Sequence, residues 1–502
     1  MAETILQLLT GAEDAPAIGA PDRAPLTHGA LRRLVRETVA RLNGLGIGRG
    51  DRVAIVLPNG PEMAAAFLAV AGGAVTCPLN PGYREEEFAF YMEDLRARAL
   101  IALHGQDSPA RAAAEKLHIP VLELIPGEAA GSFTLAGGSP AAAAMPGLAE
   151  PEDVALVLHT SGTTSRPKIV PLLQRNLCAS ARHIIATLRL SPADSCLNIM
   201  PLFHIHGLVA ATLASIAAGG QVICTPGFNA LRFFAWLDAL RPSWYTAVPT
   251  MHQAILERAK RNAEIIARAP LRFIRSSSAS LPPQVMAELE ATFGCPVIES
   301  YGMTEAAHQM ASNPLPPAPR KPGSVGIAAG PEIAIMDEEG RLLPPGCLGE
   351  VVIRGPNVTP GYENNPDANL KAFAHGWFRT GDQGVLDEDG YLRITGRLKE
   401  IINRGGEKIS PLEVDEVLMD HPAVQQVVTF AVPHPKLGEE VGAAVVLREG
   451  ASCTEAELRD FARARLADFK VPRHVVFLAE IPKGATGKLQ RIGLAEKLGL
   501  SA

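Results

Sequence analysis

Between the apolar stretch Val154 to Leu158 and a following helical pattern, the chain carries Thr160-Ser161-Gly162-Thr163-Thr164-Ser165-Arg166-Pro167-Lys168, and few folds can use such a run. A strand, a tight turn and a helix start would gather backbone N–H groups and small hydroxyls around an anion, and Lys168 would add positive charge for a polyphosphate. The G-x-x-x-x-G-K-[ST] spacing of a Walker loop is absent. A lone Ser/Thr/Gly-rich turn is more often an ordinary surface loop. Its weight here comes from its surroundings.

From about Arg52 onward, short β-rich runs (Val53 to Leu57, Ala99 to Leu103, Val121 to Leu124) alternate with helical patterns such as Pro61 to Val70, which favours α/β layers. Gly127 to Glu150 is rich in Ala, Gly, Ser and Pro without periodicity, as an exposed connection would be. Runs ending in Ala247-Val248-Pro249, Arg275-Ser276-Ser277-Ser278 and Glu299-Ser300-Tyr301-Gly302 repeat an apolar strand with a polar tail. Open α/β sheets bind ligands at the carboxyl ends of their strands. After the Pro-rich segment Asn313 to Pro322, short strands with Gly and Asp turns (Glu332 to Met336, Glu350 to Arg354, Tyr391 to Ile394) suggest a β-rich subdomain.

The last hundred or so residues read as a separate α+β unit. Helices are expected at Leu412 to Met419 and Glu455 to Leu466, and strands at Val427 to Val432, Ala443 to Leu447 and His474 to Leu478. Ser410 with Glu413, and Thr454 with Glu457, are placed as capping boxes. The expected division is a large domain over 1–396 and a small domain over 397–502. At 502 residues, more than one core is expected.

A net charge of −6 argues against a general nucleic-acid or anionic-membrane binder, which would normally carry a basic excess. Seven scattered cysteines without C-x-x-C spacing suggest neither a disulfide framework nor structural zinc, and fit a reducing cytosol. Met1-Ala2-Glu3-Thr4 has no export signature, and Gly499 to Ala502 is no peroxisomal tripeptide, so a cytoplasmic location is expected. Met63 to Leu79 reads as a buried helix running into a strand rather than a membrane span, and Asn357-Val358-Thr359 as a sequon never glycosylated.

Five short pieces occur in order: the phosphate loop, Tyr301-Gly302-Met303-Thr304-Glu305, Gly381-Asp382, Gly396-Arg397-Leu398-Lys399 and Thr486-Gly487-Lys488. In this the chain resembles the adenylate-forming superfamily of acyl-CoA synthetases, luciferases and peptide-synthetase adenylation domains, over nearly its whole length. The resemblance implies a large multi-layer α/β N-terminal domain with a β-rich subdomain, a small mobile α+β C-terminal domain, and an active site between them. It also implies ATP, Mg²⁺ and coenzyme A.

That chemistry accounts for the residue types, since a carboxylate must attack the α-phosphate in line against charge repulsion. By resemblance, Thr160, Ser161, Gly162, Thr163, Thr164 and Lys168 cradle phosphates, Thr304 touches the α-phosphate, and Glu305 helps hold Mg²⁺. Ser300, Tyr301 and Gly302 belong to the adenine-site motif, with Tyr301 near the adenine. Asp382 takes the ribose hydroxyls with help from Arg397, and Lys488 reaches in from the small domain to neutralise charge at the α-phosphate. Lys399 matches the hinge. Gly405 and Gly406 match a loop bordering the CoA tunnel, although a hairpin turn would need the same glycines. Family members usually carry Gly at Ser165 and Ile169, and a β-branched Ile169 would be strained if that position needed positive φ.

Longer stretches, Met200 to Leu208, Trp244 to Thr250, Arg272 to Leu281 and Met303 to Met310, resemble the oxalate-CoA ligases. A two-carbon dicarboxylate needs a small pocket offering hydrogen bonds or positive charge to its remote carboxylate. By resemblance His204, Ser278 and His308 line it. His204 and His206 share an i, i+2 metal-pair spacing without an evident third ligand. The alternatives are a ligase for malonate or another short or medium-chain acid, and, in another class, a non-catalytic adenylate-binding scaffold.

Overall fold

The computed structural model describes residues 3–160, 167–484 and 488–500. Ser161, Gly162, Thr163, Thr164 and Ser165 of the phosphate loop, and Thr486 and Gly487 before Lys488, lie outside the described residues.

Among the described residues, two large sheets share one apolar core. In the seven-stranded sheet, Val121–Pro126, Ala99–Leu103, Arg52–Val56, Val75–Pro78 and Val154–Thr160 run parallel in that spatial order. Antiparallel strands Phe133–Ala136 and Lys168–Leu173 close its two edges. The nine-stranded sheet has a parallel centre of Val297–Met303, Phe273–Ser276, Trp244–Ala247, Ser195–Asn198, Gln221–Cys224 and Pro16–Ala20. Apart from half-buried Glu62 in its first turn, Pro61–Ala71 is buried between the sheets, which is why Ala, Val, Leu and Phe cover it on all sides. No helix among the described residues is long and apolar enough to cross a membrane.

A six-stranded antiparallel sheet from Glu332–Met336 to Leu392–Arg397 forms the β-rich part. A five-stranded sheet with helices Pro411–Met419 and Glu455–Arg463 builds the small domain. Helix Pro249–Ala259 of the large domain meets it through Gln253, whose Nε2 donates to the Gln425 carbonyl at 3.0 Å.

Several sequence expectations are corrected. The strands on either side of the phosphate loop are antiparallel, with Thr160 paired to Lys168, and the next helix starts only at Gln174. Pro171 inside the second strand is tolerated because that strand is the sheet edge. Ile169 therefore has extended rather than positive-φ backbone, is buried, and suits its strand. The segment expected as a bare connection contributes the edge strand Phe133–Ala136. Its tail is also held: the Arg49 N–H donates to the Met145 carbonyl, and the Gly147 N–H to Asn43 Oδ1. The Thr454–Glu457 capping box is complete. At Ser410 only half forms, because the Glu413 carboxylate pairs with Lys470 Nζ at 2.7 Å instead.

Candidate functional site

The carboxyl ends of four neighbouring strands of the nine-stranded sheet carry the expected polar tails to one place. Strand Ser195–Asn198 runs on into Met200 to His206, and this loop is fixed from the other large sheet by Asn59. Asn59 Oδ1 accepts from the Leu202 N–H at 2.7 Å, and its Nδ2 donates to the Met200 and Thr225 carbonyls. Gly207 allows the loop to fold back, since a Cβ there would lie 2.4 Å from the Pro201 carbonyl oxygen. His206–Leu213 then forms a widened, π-type helical turn, a feature that recurs at functional sites.

His206 is fully buried and is the hub of a polar cluster. Its Nδ1 lies 3.0 Å from Ser278 Oγ; its Nε2 lies 2.6 Å from Thr246 Oγ1 and 3.5 Å from an Arg275 Nη. Both ring nitrogens are thus engaged by side chains, which accounts for the i, i+2 histidine spacing without a metal. The His308 ring lies 5.0 Å away, buried, and neither of its nitrogens has a hydrogen-bond partner among the described residues. His204 is half-buried, and its Nδ1 accepts from the His206 backbone N–H at 3.4 Å.

Burial pushes the pKa of His206 and His308 well below the ordinary imidazole range and that of His204 down to about 3; the Lys488 charge adds to all three, and Arg275 adds to His206 and His308. All three are neutral near pH 7, so each has one donor and one acceptor nitrogen.

Backbone strain gathers here. Ser278, Ala307 and His308 hold φ of 73°, 49° and 97°, and such values in non-glycine residues mark places that the surrounding structure over-determines. Gly302 is required beneath His308, because a Cβ would fall 1.7 Å from the His308 carbonyl oxygen. Asn357 is buried and donates to the Ala306 and Gln309 carbonyls at 2.8 and 3.0 Å, so the sequon asparagine clamps this turn.

The charged end of the site lies on the adjoining hairpins. The Tyr301 hydroxyl donates to Asp382 Oδ2 at 2.5 Å, and Arg397 Nε to Oδ1 at 3.1 Å, with Asp382 and Arg397 paired across their strands. Thr304 opens the short turn Thr304–Ala306 that carries Glu305. Glu305 is buried, which raises its carboxyl pKa, and the Tyr362 hydroxyl donates to its Oε1 at 2.9 Å. Lys168 Nζ sits 4.2 Å from the Tyr362 ring centroid; burial lowers its pKa while Glu305 opposes that shift. Ser300 turns into the sheet, donating to the Ser276 carbonyl at 3.2 Å.

From the small domain, Lys488 brings its amino group among these residues. Burial and the neighbouring Arg397 push its pKa down to about 8 against the pull of Asp382 and Glu305. Lys399 lies in the turn between strands Leu392–Arg397 and Ile402–Arg404. Gly405 and Gly406, at φ 60° and 99°, form a tight two-residue hairpin with Arg404 paired to Glu407, which is the turn reading of those glycines.

The sequence reading passed over Arg275, Thr246, Gln309 and Tyr362, and took His206 only as half of a metal pair. Arg275 did leave a signal: a charged residue inside the apolar strand Phe273-Ile274-Arg275 contradicts the near-continuous hydrophobicity of a buried parallel strand.

Comparison with known proteins places these residues in a family context. The model of the AMP-binding enzymes matches residues 9–363, and that of the AMP-binding enzyme C-terminal domain matches residues 413–488. A probable CoA ligase of Humulus lupulus is 49% identical over 480 residues, covering 94% of this chain and 91% of its own. The oxalate–CoA ligase of Arabidopsis thaliana is 47% identical over 486 residues, covering 95% and 94%. The ATP-bound crystal structure of MatB from Rhodopseudomonas palustris, 29% identical, superposes over 99% of both chains with a TM-score of 0.88, whereas the apo form of that protein gives 0.79.

Proposed function

Since this chain belongs to the family of AMP-binding enzymes and is an ATP-dependent, AMP-forming acid–thiol ligase, we propose that its acid is oxalate, activated as oxalyl-adenylate and released as oxalyl-CoA. In the first step a carboxylate oxygen bonds to the α-phosphorus as the bond to the β-phosphate breaks and pyrophosphate leaves. In the second, the CoA sulfur bonds to the activated carbonyl carbon, the thiol proton is lost, and the C–O bond to AMP breaks.

The observation that carries the acid assignment is the end wall formed by His308, His206 and Ser278. It is polar, His206 and His308 in it are buried and Ser278 half-buried, the Lys488 charge acts on both histidines, and both His308 ring nitrogens are unpartnered among the described residues. Leaving such groups dry and unpaired costs roughly 1–3 kcal/mol each, and an aliphatic chain would incur that cost in full. The second carboxylate of a two-carbon diacid removes it. Kinship with the Arabidopsis oxalate–CoA ligase supports the same acid.

At the charged end, Asp382 is assigned to the ribose hydroxyls, Tyr301 and Gly302 to the adenine, Arg397 to orienting Asp382, and Thr304, Thr160 and Lys168 to the phosphates. Glu305 fits a Mg²⁺ ligand: it is an oxygen donor set deep beside Lys168, with Tyr362 engaging one of its oxygens. When bound, Mg²⁺ would supply charge neutralisation between the phosphate oxygens. Lys488 is assigned to the charge growing at the α-phosphate; a lysine of pKa about 8 is still mainly cationic at pH 7. We assign residues 1–396 to the body and 397–502 to a lid turning at Lys399, with Gly405 and Gly406 letting pantetheine approach after that turn. The setting is a reducing cytosol, which suits seven unpaired cysteines.

The test is AMP release by purified protein with Mg²⁺, ATP and CoA across oxalate, malonate, acetate and a medium-chain fatty acid, each repeated without CoA. CoA-dependent turnover strongest on oxalate is expected. A preference for the fatty acid would refute the end-wall assignment, and silence on every acid despite ATP binding would favour a non-catalytic scaffold.

A further inference from the structure

Arg275 is fully buried on strand Phe273–Ser276, behind the end wall and away from solvent. No carboxylate pairs with it among the described residues. Its polar neighbours are His206 Nε2 at 3.5 Å and Gln309 Oε1 at 3.4 Å, and its Nε has no partner. Breaking a buried ion pair is costly because it strands a charge; here the fold itself maintains one beside the acid end of the site. Gln309 is in turn fixed by donating to Thr187 Oγ1 at 3.0 Å and to the Ala329 carbonyl at 3.1 Å, which turns its carbonyl oxygen toward the guanidinium.

The donor chemistry sets a direction. A guanidinium has only N–H donors, so the Arg275 charge 3.5 Å from His206 Nε2 favours the tautomer with a lone pair on that nitrogen, and this single lone pair then accepts from the Thr246 hydroxyl at 2.6 Å. In that tautomer the His206 proton is on Nδ1 and donates to Ser278 Oγ at 3.0 Å. This leaves the Ser278 hydroxyl proton and one N–H of His308 as uncommitted donors at the end wall, with the Arg275 charge behind them.

We infer that Arg275, acting through His206, is the positioning residue that makes this site select a doubly charged acid: it locks the His206 tautomer so that Ser278 and His308 present protons to the carboxylate that does not react. The inference rests on the oxalate reading above. Its substrate class is a small diacid whose second anionic group sits against neutral donors backed by a buried cation.

The test compares wild type, Arg275→Met and Arg275→Lys on oxalate and on oxamate, its isosteric half-amide, which bears one charge fewer. For Arg275→Met the KM for oxalate should rise about 10- to 100-fold, the scale of losing a charge-assisted interaction. Oxamate inhibition and the KM for ATP should change by less than about threefold, so that the preference for the dianion collapses; Arg275→Lys should recover part of it. A merely structural arginine would weaken oxalate, oxamate and ATP alike, and that result, or an unchanged oxalate KM, would overturn the inference while leaving oxalate as the substrate. Absence of oxalate turnover in the wild type would overturn the reading beneath it and the inference together. Should Arg275→Met fail to fold, nitrogen-15 NMR of histidine-labelled wild type decides. A His206 protonated on Nδ1 alone supports the relay, and one protonated on Nε2 refutes it.

Discussion

The two ends of the site are built on opposite plans. At the end we propose for the nucleotide, charged groups already satisfy one another: Asp382 accepts hydrogen bonds from Tyr301 and Arg397, and Glu305 accepts one from Tyr362 beside Lys168. At the end we propose for the acid, the groups are neutral or singly cationic and short of partners: among the described residues His308 has none and Arg275 has no counter-ion. The first plan suits a large polyanion that arrives with metal and water and exchanges into existing hydrogen bonds. The second suits a small anion that must complete what the fold leaves incomplete, so selectivity is concentrated there.

The hardest challenge to this contrast is Lys488, the residue that serves both ends. Lys488→Ala should lower adenylation by about a hundredfold or more, the usual cost of removing a transition-state charge partner, with nucleotide binding near normal. Pyrophosphate exchange measured on both proteins checks this, and equal exchange would refute the role. Because burial pushes the Lys488 pKa of the free enzyme down to about 8, kcat/KM for ATP in adenylation should also fall as pH rises through that value, when the cation is lost. The neutral histidines, whose pKa values lie well below 6.5, should contribute no limb between pH 6 and 8.

Separate substitutions at the two ends should divide cleanly. His308→Ala should raise the KM for oxalate about 10- to 100-fold while moving the KM for ATP little. Asp382→Asn, which keeps shape and removes charge, should raise the KM for ATP about tenfold and spare oxalate. Steady-state kinetics with each substrate varied in turn would show it. If both constants move together in both variants, the ends are coupled and the contrast fails.

The same contrast explains what could be read in advance. The groups we propose for the nucleotide sit in contiguous runs, Tyr301 to Glu305 and Gly381-Asp382, and it is these runs that carry the family resemblance from which their roles were read. The polar strand tails at Ala247, Ser276 and Gly302 likewise announced a parallel sheet with a site at its carboxyl edge. The acid end was legible only in part. His204, Ser278 and His308 came from resemblance, whereas the partnership of Arg275, His206 and Thr246 joins two strands and a helical turn and has no linear trace. The strand after the phosphate loop was missed for a local reason: Lys168 to Leu173 is short and contains Pro171, which demotes a strand unless it lies at an edge.

Glu299 provides the smallest and most discriminating check, because it too is buried and incompletely paired yet lies outside the proposed acid contacts. Its Oε1 accepts from the Leu281 N–H at 2.8 Å, its Oε2 has no partner among the described residues, and burial raises its pKa to about 8. The folded state therefore holds a proton that the unfolded chain releases near its ordinary value of 4.5. Folding binds protons, so this group's contribution is fully present below pH 4.5 and is lost as pH rises toward 8. Glu299→Gln fixes the neutral form and should stabilise the protein by up to ~2–3 kcal/mol at pH 7, less the cost of an amide nitrogen without a partner, with no gain at pH 4. Thermal melts at both pH values read this, and KM for oxalate and ATP should remain within about twofold of wild type. A rise in the oxalate KM comparable to that of His308→Ala would mean that any buried unpaired group near the sheet edge perturbs acid binding, and the special standing of His308 and Arg275 would be lost.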